Sequence, residues 1–224
     1  MRTNLREDTL DAIESTGVVA IVRLGDSSAA VRAAEALLAG GIRALEVTMT
    51  VPGAVSIIAA LAATLPRDVV LGAGTVLDVA TARAVIDAGA RFVVSPVYRA
   101  AIVDTCRSSE VASVPGCFSP TEMLDAWERG ADIVKLFPAA SLGPSFIKDV
   151  RAPLPQLRVM PTGGVTAENA GVWIRAGACA VGVGSSLADE ATVSAGRFDV
   201  IEARARTLLQ AVALARRPAT EETR

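Results

Sequence analysis

The 224-residue chain contains no histidine. That absence removes the usual general base, and with it any Ser-His-Asp or Cys-His constellation, so acid-base work falls to a carboxylate, a lysine or water. Cysteine is scarce too. Cys106, Cys117 and Cys179 are odd in number, widely spaced and free of any CxxC pair, which excludes a disulfide framework and a zinc site. No metal and no cofactor is expected. The net charge is only -2 and the arginines are dispersed, so the electrostatic footprint of a nucleic-acid binder is missing. No stretch approaches the apolar length of a bilayer span, and Arg2, Arg6, Glu7, Asp8 and Asp11 precede any apolar run. The expected setting is the cytoplasm, and the expected partner is a small molecule, neither nucleic acid nor membrane.

Lysine is the other rarity: Lys135 and Lys148 stand alone in a chain rich in arginine. Lys135 lies in the apolar run Ile133-Val134-Lys135-Leu136-Phe137-Pro138. Burial disfavours the charged ammonium, so a lysine there can become a neutral amine and attack carbonyls, whereas arginine stays protonated. The bland alternative is a strand-end lysine whose stem packs while its ammonium reaches solvent. Lys148, in Phe146-Ile147-Lys148-Asp149, reads as an exposed helical lysine.

What the chain does have is a repeating alternation. Short apolar runs at Val18–Val22, Ala44–Thr48, Val69–Gly72, Phe92–Ser95, Val111–Val114, Ile133–Phe137, Leu157–Met160 and Ala178–Val183 predict strands. Between them Ser27–Ala39, Pro52–Leu65, Val79–Ala88, Ala100–Arg107, Pro120–Arg129 and Ala167–Ala176 show helical spacing. Asp26 or Ser27, Asp78, Ser119 with Glu122, and Thr166 are candidate N-caps. Gly40-Gly41, Gly89, Gly130 and Gly177 suit left-handed C-caps. Apolar strands alternating with helices predict an α/β fold, a (β/α)8 barrel of the TIM type with an extra N-terminal helix around Leu5–Glu14 and a C-terminal helix around Phe198–Arg216. An open doubly wound sheet is the alternative, but no GxGxxG turn follows the first strand. One domain over residues 1–217 is expected, followed by a frayed polar tail at 218–224.

In a barrel the C-terminal strand ends share one mouth, where catalysis takes place. Those ends carry Arg23, Glu46 and Thr48, Gly72 to Thr75, Ser95-Pro96, Pro115-Gly116, Lys135 with Phe137-Pro138, Pro161 to Gly164, and Gly182 to Ser185. Glycine and proline also punctuate ordinary turns. The last two groups nevertheless form the clearest anion site: glycines let backbone amides approach a phosphate, the following helices aim their N-termini at it, and Ser185 adds a hydroxyl.

In order and spacing, Leu45-Glu46-Val47-Thr48, Gly72-Ala73-Gly74-Thr75-Val76, Ser95-Pro96, Val114-Pro115-Gly116, Ile133 to Pro138, Pro161-Thr162-Gly163-Gly164-Val165 and Val181-Gly182-Val183-Gly184-Ser185 resemble 2-keto-3-deoxy-6-phosphogluconate (KDPG) aldolase. The likeness runs from Val18 to Leu187. It implies a class I aldolase of the Entner-Doudoroff pathway, usually a homotrimer, that cleaves its substrate to pyruvate and glyceraldehyde 3-phosphate; many members also cleave 4-hydroxy-2-oxoglutarate to pyruvate and glyoxylate. It makes Lys135 the Schiff-base lysine and Glu46 the acid-base residue working through a water. Thr75, Pro96, Phe137 and Thr162 would line the pyruvyl pocket, and Gly163, Gly164, Gly184 and Ser185 would hold phosphate. Thr50 stands where many members carry an arginine for the substrate carboxylate, and Arg23 is the candidate replacement in that volume.

Val97 and Tyr98 depart from a frequent glycine at the mouth. Cys117 is assigned no catalytic role, and Trp127 and Trp173 are read as core or subunit-contact residues. Three alternatives remain: preference for the galactonate epimer, a phosphate-binding barrel isomerase or synthase with no imine, and a catalytically silent sensor or assembly subunit.

Overall fold

The computed structural model describes residues 5–217, and the expected tail at 218–224 lies outside the described residues. The helices are α1 (Leu5–Thr16), α2 (Ser27–Ala39), α3 (Ala54–Thr64), α4 (Val79–Asp87), α5 (Ala100–Ser108), α6 (Pro120–Glu128), α7 (Pro144–Arg151), α8 (Ala167–Arg175), α9 (Glu190–Ser194) and α10 (Phe198–Ala215). The strands are β1 (Val18–Val22), β2 (Ala44–Thr48), β3 (Val70–Gly74), β4 (Phe92–Val94), β5 (Ala112–Val114), β6 (Gly116–Cys117), β7 (Val134–Leu136), β8 (Val159–Pro161) and β9 (Val181–Val183). All strand pairs are parallel, in the orders β5-β4-β3-β2-β1-β9 and β6-β7-β8.

The two sheets are joined at both margins. A parallel bridge links Thr162 to Gly182, and a single residue, Pro115, separates β5 from β6. The sequence predicts one continuous fifth strand at Val111–Val114; the structure instead extends it past a break. Proline has no amide hydrogen for the ladder, yet the Pro115 carbonyl still accepts from the Lys135 amide at 2.9 Å. The sheets curl around a shared interior.

Alternation along the strands sorts the core into two clusters. Val18, Ala20, Val22, Leu45, Val47, Val134 and Leu136 face the helices. Val19, Ala44, Val70, Phe92, Ile133 and Met160 face the interior, where Leu10 and Ile13 of α1 pack against them. With a side-chain period of two, Glu46 follows inward-facing Ala44 and Lys135 follows inward-facing Ile133. Burying this many aliphatic side chains, at roughly 1.5–3 kcal/mol each, is what positions two ionisable groups away from water.

Local signals explain the crossover helices. Asp26 Oδ1 accepts from the Ala29 amide and Asp78 Oδ1 from the Thr81 amide, both at 2.7 Å. Ser119 and Glu122 cap each other reciprocally. At α8, Asn169 Oδ1 accepts from the Thr166 amide at 2.9 Å. Gly41, Gly89, Gly130 and Gly177 adopt φ of 100° to 106° where their helices end, and Gly40 keeps a right-handed φ of -72°. The short α9 and a 3-10 turn at Ala139–Ser141 carry too few residues for a visible period. Among the described residues no helix is long and apolar enough to cross a membrane.

Candidate active site

Glu46 is 1% exposed and Lys135 4% exposed, so both sit inside the shared interior near the C-terminal strand ends. Their burial is felt chemically. Desolvation pushes the Glu46 carboxyl above the ordinary carboxylate range, opposed by the positive charges of Lys135 and Arg23. Desolvation pulls the Lys135 ammonium below the ordinary lysine value; Glu46 resists that change and Arg23 reinforces it. Both shifts favour the uncharged partner of each proton exchange. Lys135 Nζ also lies 5.0 Å from the centroid of the Phe137 ring.

The room for Glu46 comes from a missing side chain. A Cβ on Gly74 would stand 1.8 Å from Glu46 Oε1. The neighbouring inward position, Gly72, is filled by the Phe92 ring, which would lie 2.3 Å from a Cβ there. Directly after Gly74, Thr75 takes φ of 59°, a left-handed conformation that is unfavourable for a β-branched residue. Strain of this kind concentrates where geometry is fixed for function.

A pocket of about 220 Å³ opens at the same end, lined by Arg23, Phe137, Thr162, Gly163, Gly164, Gly184 and Ser185 among others. The structure thus brings together seven of the twelve residues singled out in the sequence, with Arg23 close enough to bias both buried charges. Thr162 is 5% exposed, and its Oγ1, like Glu46 Oε2, is buried with no hydrogen-bond partner among the described residues. The amides of Gly164, Ser185 and Ser186 donate to no backbone acceptor among the described residues. Pro96 is half-buried, and its carbonyl lies 2.3 Å from where a Gly116 Cβ would be. Thr50 is exposed and shares a 2.7 Å hydrogen bond with the Thr48 hydroxyl.

Sequence reasoning passed over Thr166 and Ser186, which also line the pocket. Ser186 Oγ donates to the Val165 carbonyl at 3.0 Å and so joins the two glycine loops. Its signal was the doubled serine after Gly184. One expectation needs correction: only the first glycine loop enters a helix directly, since α9 starts at Glu190 and has five residues. Cys117 is buried with its thiol pushed up to about 12 by burial, which makes it inert. Trp173 is a core residue, while Lys148 is exposed on α7.

The sequence pattern described as KDPG and KHG aldolase matches residues 10–204. The chain belongs to this aldolase family. A relative named 2-dehydro-3-deoxy-phosphogluconate aldolase, from Treponema pallidum, is 38% identical over 90% of this chain and 96% of its own length. A Rhizobium meliloti relative named probable 2-dehydro-3-deoxy-6-phosphogalactonate aldolase is 37% identical over 68% of this chain and 72% of its own. The solved KDPG aldolase of Legionella pneumophila, with pyruvate captured at low pH as a covalent carbinolamine intermediate, superposes with a TM-score of 0.81; it is 29% identical and covers 89% of this chain and 97% of that one. A KDPG and KHG aldolase is a carbon-carbon lyase.

Proposed function

We propose that the protein is a class I aldolase cleaving 2-dehydro-3-deoxy-6-phosphogluconate to pyruvate and glyceraldehyde 3-phosphate. The observation that carries this reading is the buried Lys135 facing the same interior as buried Glu46, with its Nζ 5.0 Å from the centroid of the Phe137 ring, which lines the pocket of the two glycine loops. The neutral Lys135 amine attacks C2 of the keto acid, and the carbinolamine loses water to give an iminium. Glu46, through a water, takes the proton of the C4 hydroxyl. The C3–C4 bond then breaks, its electrons enter the iminium to give an enamine, and the aldehyde leaves. Reprotonation at C3 and hydrolysis release pyruvate and restore Lys135.

In this reading Arg23 binds the substrate carboxylate with help from Thr50, while Thr75, Pro96, Phe137 and Thr162 enclose the pyruvyl group. Gly163, Gly164, Gly184 and Ser185 hold the phosphate. The two sheets form one (β/α)8 barrel, with β5 and β6 as a single interrupted strand and α1 and α10 as the added helices, in a single domain over residues 1–217. The proposed state, a cytoplasmic homotrimer, rests on the family resemblance. No cofactor enters the scheme, because the protonated imine is the electron sink.

The Rhizobium relative supports a second reading, cleavage of the galactonate epimer. Pyruvate release from KDPG, its galactonate epimer and 4-hydroxy-2-oxoglutarate, followed with a coupled lactate dehydrogenase assay, separates them. The highest kcat/KM is expected for KDPG. A higher value for the epimer selects the second reading, and no release from any of the three overturns both.

A further inference from the structure

The two glycine loops at the mouth are fastened by different means. Gly163 to Thr166 runs into the nine-residue α8, and Asn169 closes it by accepting from the Thr166 amide and donating to the Gly164 carbonyl, both at 2.9 Å. Gly184 to Ser186 lacks such a helix. Its own turn places the Leu187 and Ala188 amides on the Gly184 carbonyl at 2.9 and 3.1 Å. Beyond that turn, a side chain from α10 takes hold. Arg204 Nη1 donates to the Leu187 carbonyl at 3.2 Å and to Asp189 Oδ2 at 2.7 Å. Asp189 in turn accepts from the Thr192 amide and hydroxyl, at 2.8 and 2.7 Å. One guanidinium nitrogen therefore bridges the residue just past the loop and the carboxylate that starts α9.

Arg204 does not line the mouth pocket. It lines a separate cleft of about 380 Å³ that shares Thr166 and Ser186 with the mouth. We propose that Arg204 is a positioning residue for the phosphate: by holding Leu187 and Asp189 it fixes the Gly184–Ser186 backbone, and it sets affinity for the phosphorylated substrate without touching it. The proposal rests on the function given above. Amides aimed at an anion are effective when their direction is fixed before the anion arrives. The Arg204 and Asp189 side chains are 36% and 32% exposed, and a pair so exposed adds little to global stability. Its effect is local to the loop it holds.

Arg204→Ala tests this, with Asp189→Asn as a second variant that still caps α9 but gives up the charge. Two readouts are compared in each: cleavage of KDPG, and deuterium exchange into the pyruvate methyl group, which needs Lys135 and Glu46 but no phosphate. The expected result is a KM for KDPG raised about tenfold, corresponding to roughly 1.4 kcal/mol. The kcat and the pyruvate exchange rate should stay within about twofold of wild type. Arg204→Lys should recover part of the KM. Titration with inorganic phosphate reads the same loop without turnover and should show a weaker Kd in both variants. Equal losses in KDPG cleavage and pyruvate exchange, or an unchanged phosphate Kd, overturn the positioning role. A wild-type enzyme that exchanges pyruvate and binds phosphate but leaves KDPG intact overturns the substrate assignment instead.

Discussion

The two ends of the strands solve opposite problems. At the N-terminal ends, carbonyls at helix C-termini and at strand entries are answered by the protein's own arginines. Arg151 Nη1 donates to the Gly177 carbonyl at 2.9 Å, Arg216 to the Ser15 and Cys179 carbonyls at 2.7 and 2.8 Å, and Arg43 to the Ile42 carbonyl at 2.8 Å. Arg6 bonds Asp132 at 2.9 Å and reaches the Gly130 carbonyl. At the C-terminal ends the amides of Gly164, Ser185 and Ser186 find no backbone acceptor, and Glu46 Oε2 and Thr162 Oγ1 find no partner, among the described residues. The larger depression, about 740 Å³, lies at the N-terminal end between α1 and the entries to β2, β3 and β4, against about 220 Å³ at the mouth. Size therefore points to the wrong end. The buried charge of Glu46 and Lys135 points to the right one.

Substitutions at the mouth should abolish chemistry while sparing the fold, and substitutions at the other end should do the reverse. Glu46→Gln is expected to lower kcat by about 10²- to 10⁴-fold. Because burial raises the carboxyl's pKa in the folded state, its ionisation favours unfolding: its support is present at low pH and lost as pH rises through the folded value. At neutral pH the variant's thermal midpoint should therefore not fall below that of wild type. A lower midpoint with retained kcat would mean that Glu46 serves the fold and not the chemistry.

Gly74→Ala sharpens the contrast without changing any charged group. The new methyl meets Glu46 Oε1, so the carboxylate is displaced by about an ångström and kcat should fall about 10²-fold, measured in the coupled assay. Overpacking adds a destabilisation of about 1–3 kcal/mol in denaturant titration. Near-normal turnover would show that Glu46 does not need its present position.

At the opposite end, Arg6→Ala strips Asp132, whose side chain is only 7% exposed, of its cationic partner. Asp132 keeps its bond from the Ser113 amide at 2.8 Å, so the expected cost is about 1–3 kcal/mol in denaturant unfolding, with kcat/KM unchanged. A change in kcat/KM at full occupancy of the folded state would break the division between the two ends.

Much of the fold and of the mouth was legible in the sequence, because it rests on patterns of short period. The alternation of apolar strands and helices, the Asp26, Asp78 and Ser119 caps and the glycine C-caps came from local chemistry, and the structure keeps them. Lys135 was conspicuous because lysine is rare and its neighbours are apolar. What the sequence hid depends on contacts between distant segments. The Gly74 space for Glu46 needs β2 beside β3 in one register, with Thr48 opposite Gly74. The Arg204 clamp joins α10 to a loop 17 residues away, and nothing in local spacing marks it among so many arginines. The break at Pro115 was visible as a proline, but its retained pairing through the carbonyl was not.

The class I mechanism requires that the buried lysine, and not the exposed one, form an imine. Incubation with pyruvate and borohydride across a range of pH, followed by intact-mass and peptide mapping, reads this directly. The prediction is one pyruvyl adduct on Lys135, absent in Lys135→Arg, with labelling that rises with pH around a midpoint below that of an ordinary lysine, because burial favours the free amine. An adduct on Lys148 alone, or no adduct at any pH, would contradict the class I mechanism and leave a phosphate-binding fold that uses no imine.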